Sequence, residues 1–543
     1  MRFRRRIRHV RRNIQVDLET NPPKRIRISA RNMIPTQGFW INNWIARQAD
    51  INPNQLILVD EKSDRRFTYK TFNESIDRVA AFLKDRSEIT KGDRICVLSW
   101  NRIEMLQFLF ASAKLGAIFV PINTRYSTRE IKEYVKLIQP KIMIFEDDFA
   151  DEIKELKKDS QIESYFELLN DDATTLKSFS NAKKYPEKLD KPVAVDLEDP
   201  VMIIQTGGTT GIPKGSIVTY RMIFWNAVNT IRDLIVPGEV TVTSVPLFHI
   251  GGYTYTLPLL IWGGTNIIMN KWNSEKLISW IETERVTFQF LVPAQLKMLV
   301  ETPGFKKADF TSLRWFTTGG AALTRNIVDA MLKKGVIMKQ GYGLTEVGPG
   351  VFALDPKDAI RKLGSIGKPN LLVDAKVVND KGEDCAVSEP GELLVRSPSL
   401  FGGYWRNPEE TRKAAEGGWL HTGDVVIVDE EGFYFIIGRE KRVIRSGSES
   451  IYPEEIEKLL LLHPKVVDAF VTGVPNEKWG EVPKAFTVIK TGETLDKDEI
   501  VNHCLKGLAK YKVPKEIEFV ESIPKSAAGK VLKDELMRKH ERK

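Results

Sequence analysis

Residues 205–215 read QTGGTTGIPKG, which puts four glycines, three threonines and one lysine into eleven positions. That composition suits a polyanion. Gly207, Gly208 and Gly211 let backbone N–H groups close on phosphate oxygens, Thr206, Thr209 and Thr210 add hydroxyl donors, and Lys214 supplies a point charge for the outer phosphates. A Walker loop needs GKS or GKT directly after its second glycine, whereas Ile212 and Pro213 here separate Gly211 from Lys214. The loop therefore serves another nucleotide chemistry, or is a solvated surface turn; its composition alone leaves both open.

The elements that must carry it are legible on either side. Val201-Met202-Ile203-Ile204 before the loop and Ser216-Ile217-Val218-Thr219 after it are extended apolar runs, which predicts a hairpin. Upstream, from about residue 76, the helix IDRVAAFLKD, the strand RICVLSW, the helix IEMLQFLFASAKLG and the strands AIFVPIN and KIMIFED alternate. This is βαβ wiring with mainly parallel pairing. Residues 151–200 are charged and weakly patterned, and alternation resumes from 201 to about 340. Between about 360 and 437 short strands with glycine turns replace the helices, and past GREKRVIRSG the pattern returns to α+β. The expected fold class is α/β. A large N-terminal domain of α/β subdomains with a small β-barrel-like subdomain (34–438) leads through a hinge (439–441) to a mobile α+β C-terminal domain (442–543).

Bulk composition bounds the rest. The 543 residues exceed one core, and 42% hydrophobic with 28% charged residues is a globular, water-soluble balance. No apolar run approaches the length of a transmembrane span. Of the net charge of +9, all sits in residues 1–33, which hold eleven Lys/Arg against Asp17 and Glu19; residues 34–543 carry 70 basic and 70 acidic side chains. A neutral body gives no case for nucleic acid. Phe3, Ile7, Val10 and Ile14 fall at helical spacing among the arginines, so the tail could touch an anionic membrane peripherally, bind RNA or act as a transit peptide. A misassigned start before Met33, or a disordered extension, is the favoured reading. Cys96, Cys385 and Cys504 are isolated, which excludes zinc spacing and a disulfide framework and fits the cytoplasm. A homodimer is left open.

The loop is not alone. PLFHIGG (246–252), TGGAALT (318–324), GYGLTEVGPG (341–350), GSIGKP (364–369), GWLHTGDV (418–425), GREKRVIRSGSESIYPEEIE (438–457) and PKSAAGK (524–530) follow in order. This set resembles the adenylate-forming superfamily of acyl- and aryl-CoA synthetases, luciferases and peptide-synthetase adenylation domains, closest to acyl-CoA synthetases of medium- and long-chain fatty acids. The resemblance spans about 34–535. It implies two half-reactions: ATP and a carboxylic acid give acyl-adenylate and pyrophosphate, then the thiol of coenzyme A displaces AMP.

The roles below are what the resemblance implies. Two like charges about 4 Å apart cost roughly 4 kcal/mol in a protein-like dielectric, so cations must sit between the carboxylate and the triphosphate. Lys530 is that bridge; otherwise it is an exposed C-terminal lysine. Thr345 contacts phosphate, and Glu346 helps to hold Mg²⁺, although Thr-Glu also suits a helix start. Tyr342 stacks on adenine against a wall of Gly319, Gly320 and Ala321, with a core tyrosine as the competing reading. Asp424 accepts the ribose hydroxyls, and Arg439 binds ribose or the α-phosphate. His249 gates the acyl pocket, which Gly341 and Gly343 line, and does no acid/base work. The hinge falls on Lys441, whose rotation removes Lys530 and brings in the loop bearing Gly447 for coenzyme A.

The sequence departs from the family in two places. SGSES stands where acyl-CoA synthetases have SGGEN, so Ser448 and Ser450 replace glycine and asparagine, and Gly208 stands where many relatives have serine. Ser448 places a Cβ where the backbone should approach pantetheine. Two rivals follow: transfer of the acyl group to a non-CoA acceptor, and a non-catalytic nucleotide-binding protein. The acid itself is expected to be a medium- or long-chain fatty acid, with aryl acids next.

Overall fold

Near-continuous apolar strands that bury both faces are the pattern of a parallel sheet covered by helices. In the computed structural model Arg94–Leu98, Ile118–Pro121 and Ile142–Glu146 behave in this way. The structure describes residues 42–168, 185, 191–206, 213–230, 238–320, 325–439, 442–446, 449–476, 479–508, 510–525 and 531–540.

The first sheet has six strands in the order Ser164–Leu168, Ile142–Glu146, Arg94–Leu98, Ile118–Pro121, Pro200–Thr206 and Lys214–Thr219. All neighbours are parallel except the last pair. Helix Ile103–Leu115 is buried along its whole length, and Thr128–Ile138 opens on a capping box in which Ser127 and Glu130 satisfy each other's backbone N–H. Pro200–Thr206 and Lys214–Thr219 pair antiparallel, with Thr206 opposite Lys214. The hairpin expected from the sequence is present, and it pins both ends of the glycine-rich loop to one sheet edge.

A second sheet runs Arg66–Thr68, Leu56–Asp60, Thr265–Ile268, Val240–Thr243. A third has parallel strands Phe288–Leu291, Trp315–Thr318 and Ile337–Leu344, followed by antiparallel Gly348–Ala353 and Lys368–Pro369. Residues 374–439 form a four-stranded antiparallel meander of Asp374–Val378, Gly391–Arg396, Leu420–Val428 and Tyr434–Arg439. One helix, Pro408–Ala414, interrupts the stretch in which the sequence pattern shows strands alone.

The C-terminal region is α+β with its own core, in which Ile444, Ile456, Leu460, Val471, Ala485 and Ile500 pack together. Helix Pro453–Leu461 also leans on the meander: Lys458 Nζ donates to Ile436 O at 3.0 Å. A Cβ on Gly438 would lie 2.8 Å from Tyr452 Cδ1 and 3.0 Å from Glu454 Oε2. Arg442, just past the junction, bonds Glu454 at 2.7 Å, Glu457 at 2.6 Å and Val471 O at 2.9 Å. Among the described residues no helix is long and apolar enough to cross a membrane. The basic tail lies outside the described residues.

Candidate functional site

Strand Ile337–Leu344 turns back into Gly348–Ala353 with Leu344 opposite Gly348. The turn is tight because Gly343 has no side chain: a Cβ there would stand 2.4 Å from Gly348 O and 2.5 Å from Pro349 Cα. Thr345 and Glu346 thus occupy the hairpin turn itself, rather than starting a helix. Glu346 Oε1 accepts the Tyr404 hydroxyl at 2.9 Å. Burial pushes the Glu346 carboxyl up, opposed by the Tyr404 hydrogen bond and by the charges of Arg439 and Lys214.

Tyr404 arrives by a pairing between distant parts of the chain. Residues 402–405 lie along strand Lys214–Thr219: Ile217 N donates to Gly403 O at 2.9 Å, Gly402 N to Ile217 O at 2.9 Å, and Trp405 N to Gly215 O at 2.7 Å. Lys214 Nζ then sits 4.8 Å from the Tyr404 ring centroid and pairs with Glu410 on helix Pro408–Ala414. On the opposite strand, Thr206 Oγ1 is buried with no hydrogen-bond partner, as are Gln205 Oε1 and Thr318 Oγ1. Buried polar atoms left open at the C-terminal ends of sheet strands are where an α/β protein receives a ligand.

The second carboxylate belongs to the meander. Asp424, 1% exposed, accepts Tyr342 Oη at 2.7 Å and Arg439 Nε at 2.5 Å, and its strand pairs it directly opposite Arg439. Burial raises the Asp424 carboxyl, and Arg439 and then the Tyr342 bond oppose the rise. The guanidinium of Arg439 is half exposed, and its charge acts on both Asp424 and Glu346. Tyr342 itself is buried, with its ring edge-on to Phe352 at 5.6 Å. Its hydroxyl is an anchor for the acid, which sequence reasoning did not anticipate.

His249 is reached through buried amides. Gln205 Nε2 donates to Phe248 O at 2.7 Å, and Asn101 clamps Val245 O at 3.0 Å and Leu247 N at 2.7 Å. Burial, and next the charge of Arg125, lowers the His249 pKa to about 4, and its Nε2 has no partner. Burial therefore favours its neutral form at physiological pH. Gly320 adopts φ +82°, and a Cβ on Gly319 would stand 3.0 Å from Gly341 O, so TGG runs tightly along GYG.

Thr206, Lys214, Glu346, Tyr342, Asp424 and Arg439 are therefore assembled around one locus, with Thr345 in the adjoining turn, Gly341 and Gly343 on the strand of Tyr342, and Gly319 and Gly320 at the end of the neighbouring strand. Gly207, Gly208, Thr209, Thr210, Gly211, Ala321, Lys441, Gly447 and Lys530 lie outside the described residues, as does Ser448. Among the described residues no three histidines, cysteines or carboxylates converge on a metal position. A magnesium ion that takes one protein carboxylate and otherwise phosphate and water oxygens fits Glu346 without such a cluster. Sequence reasoning missed Tyr404, Glu410, Gln205 and Asn101. Only YWRNPEE (404–410), an aromatic residue just before a capped acidic helix start, carries a local signal.

Comparison with known proteins decides what this locus belongs to. Residues 45–405 match the family described as AMP-binding enzyme, and residues 455–530 match the AMP-binding enzyme C-terminal domain. The chain belongs to the AMP-binding enzyme family. A feruloyl-CoA synthase of Amycolatopsis sp is 33% identical over 501 residues, 92% of this chain and 99% of that one. A long-chain-fatty-acid–CoA ligase of Mycobacterium tuberculosis is 34% identical over 507 residues, 90% and 96% of the two chains. Among solved AMP-binding enzymes, the o-succinylbenzoate coenzyme A synthetase of Bacillus subtilis, in complex with ATP and magnesium ion, superposes with a TM-score of 0.80 at 28% identity, covering 91% and 99%. The adenylate-forming resemblance and the α/β fold with its C-terminal α+β region are both borne out by these matches.

Proposed function

We propose that this acid–CoA ligase joins ATP and a carboxylic acid into an acyl-adenylate, releases pyrophosphate, and transfers the acyl group to the thiol of coenzyme A. The observation that carries the reading is the pair of buried carboxylates, Glu346 and Asp424, on separate hairpins with Arg439 between their charges. A protein that buries two acids and holds each by a tyrosine hydroxyl has a use for fixed negative acceptors.

Each residue then has a task. Asp424 receives the ribose hydroxyls, and Arg439 turns its exposed guanidinium toward ribose or α-phosphate. Gly319, Gly320 and Ala321 face adenine across Tyr342. Thr206, Thr209, Thr210 and Lys214, with the backbone of Gly207, Gly208 and Gly211, receive the β- and γ-phosphates. Thr345 adds a hydroxyl, and Glu346 would hold Mg²⁺, which when bound stabilises the charge of the departing pyrophosphate. The acid is ionised at neutral pH and needs no base, in keeping with a neutral His249. Lys530 bridges carboxylate and α-phosphate.

Thioester formation adds the division of labour between 34–438 and 442–543. Lys441 is the pivot that withdraws Lys530 and presents the loop of Gly447 to coenzyme A. The three cysteines are free, in line with the cytoplasm. The acid is where relatives part: one takes a name from a long-chain fatty acid, another from ferulate. The motifs by themselves point to a fatty acid, with an aryl acid next, and leave the choice to the shape of the acyl site.

The test is carboxylate-dependent ATP–pyrophosphate exchange followed by coenzyme A and detection of thioester, with AMP rather than ADP as the nucleotide product. Lys530→Ala should cut exchange by about two orders of magnitude or more; undiminished exchange overturns the mechanism. Exchange without thioester, restored by Ser448→Gly, would move the reading to a non-CoA acceptor.

A further inference from the structure

The three parallel strands Phe288–Leu291, Trp315–Thr318 and Ile337–Leu344 are in register, with Phe288 beside Trp315 and Phe290 beside Thr317, itself beside Lys339. Side chains alternate across a sheet, so Phe288, Phe290, Trp315, Thr317, Lys339 and Gly341 share one face, opposite to that of Tyr342. Helix Thr256–Trp262 lies over this face and, with the residue before it, presents Tyr255, Leu259 and Trp262 at helical spacing, packed with Phe288, Phe290 and Trp315.

At the level of Gly341 the strand adds no side chain to the face. The three atoms nearest a Cβ there would be Phe352 O, the Thr317 methyl and Thr318 O, at 3.7–3.9 Å, all from its own sheet. Phe290 Cε2 borders the same level, 3.7 Å from a Cβ on Gly319. One residue pair lower the space ends. Tyr255, 6% exposed, crosses the face and bonds Thr317 Oγ1 through its hydroxyl at 3.3 Å. Its ring stands 5.0 Å from Phe288 and 6.1 Å from Phe290. Beneath it, Trp315 is stacked on Phe288 and covered by Arg314 and Lys339 at 4.1 and 4.7 Å.

We infer that Tyr255 is a specificity-determining residue, the floor of an acyl site only one residue pair deep, which fits a compact aryl acid rather than a long alkyl chain. The inference rests on the proposed function. A flat ring lies against bare glycine backbone with the Phe290 edge beside it. A long chain has nowhere to go past Tyr255 without displacing a ring packed on Phe288 and Phe290, so its distal methylenes gain no burial.

The experiment measures ATP–pyrophosphate exchange and thioester formation by the full chain with cinnamate, hexanoate and palmitate. The native protein should favour cinnamate over palmitate by at least about 50-fold in kcat/KM. Tyr255→Ala should raise the palmitate-to-cinnamate ratio about tenfold or more, whereas Tyr255→Phe, which keeps the ring, should move it by less than about threefold. If Tyr255→Ala fails to fold, Tyr255→Leu tests the same floor with less lost volume. Palmitate preferred by the native protein, or a ratio unmoved in a folded Tyr255→Ala or Tyr255→Leu variant, overturns the inference and leaves adenylation standing. No exchange with any acid overturns the proposed function and this inference together.

Discussion

Strand Ile337–Leu344 has two faces built on opposite logic. On one, Tyr342 is tied by its hydroxyl to Asp424, which Arg439 also holds, and the acid is 1% exposed. On the other, Gly341 offers no side chain; the Thr317 methyl is among its nearest neighbours, and Tyr255 bonds Thr317 and packs its ring beside Phe290. The first face is specified by directional bonds to buried charge, the second by which side chains are missing and how large their neighbours are. Bonded groups of low exposure lose function steeply when one partner goes, because the survivor is left desolvated. A face defined by volume should instead change its preferences while continuing to work.

The strongest way to break that contrast is Asp424→Ala, which strands Arg439 and the Tyr342 hydroxyl together. Exchange should fall by about 100-fold or more, and a loss under tenfold would mean that the bonded face is scaffolding only. His249 gives the next effect, in stability. Its folded pKa of about 4 lies below the unfolded value of 6.5, so the unfolded chain takes up a proton that the folded chain refuses. Stability from this group is complete above about pH 6.5 and is lost as pH falls toward 4, by up to about 3 kcal/mol. Urea denaturation of His249→Phe at pH 7 and pH 4.5 should show a flatter acid-side decline than the native protein.

Tyr342→Phe removes one bond while Arg439 keeps Asp424 company. The expected cost is about 1–2 kcal/mol in unfolding free energy, with KM for ATP raised about tenfold. Glu410→Gln has the smallest effect. It frees Lys214 from a partner about a third exposed, and such pairs contribute about 1 kcal/mol or less. KM for ATP should drop no more than about fivefold, and a rise would show that Glu410 orients the lysine rather than competing for it.

Much of this was legible beforehand, for reasons that differ by residue. The hairpin around the glycine-rich loop followed from apolar runs on both sides, and Pro200–Thr206 pairs with Lys214–Thr219 accordingly. Strands Arg94–Leu98 and Ile142–Glu146 followed from apolar patterning that needs no partner to be recognised. Asp424 and Arg439 could be singled out by motif, but the bond that joins them to Tyr342 could not, because it links strands of two sheets 82 residues apart. Tyr404 escaped for a similar reason. It reaches Glu346 through pairing between residues 402–405 and strand Lys214–Thr219, set by backbone hydrogen bonds that carry no side-chain signature. Tyr255 carries no motif of its own, and its role depends on its bond to Thr317 and its packing on Phe288 and Phe290, residues distant in sequence.

Gly438 bears on energy rather than position. Beside helix Pro453–Leu461 the meander strand contributes no side chain at Gly438, where Tyr452 and Glu454 lie nearest, and among the described residues Lys458 bonds Ile436 O. Surfaces that meet over bare backbone have little to interlock, so the docked arrangement need not be a deep minimum. A shallow well would suit the proposed pair of half-reactions: with a C-terminal region that moves between them, each arrangement must be left as readily as it is entered, or the slower departure becomes the clock for the whole cycle.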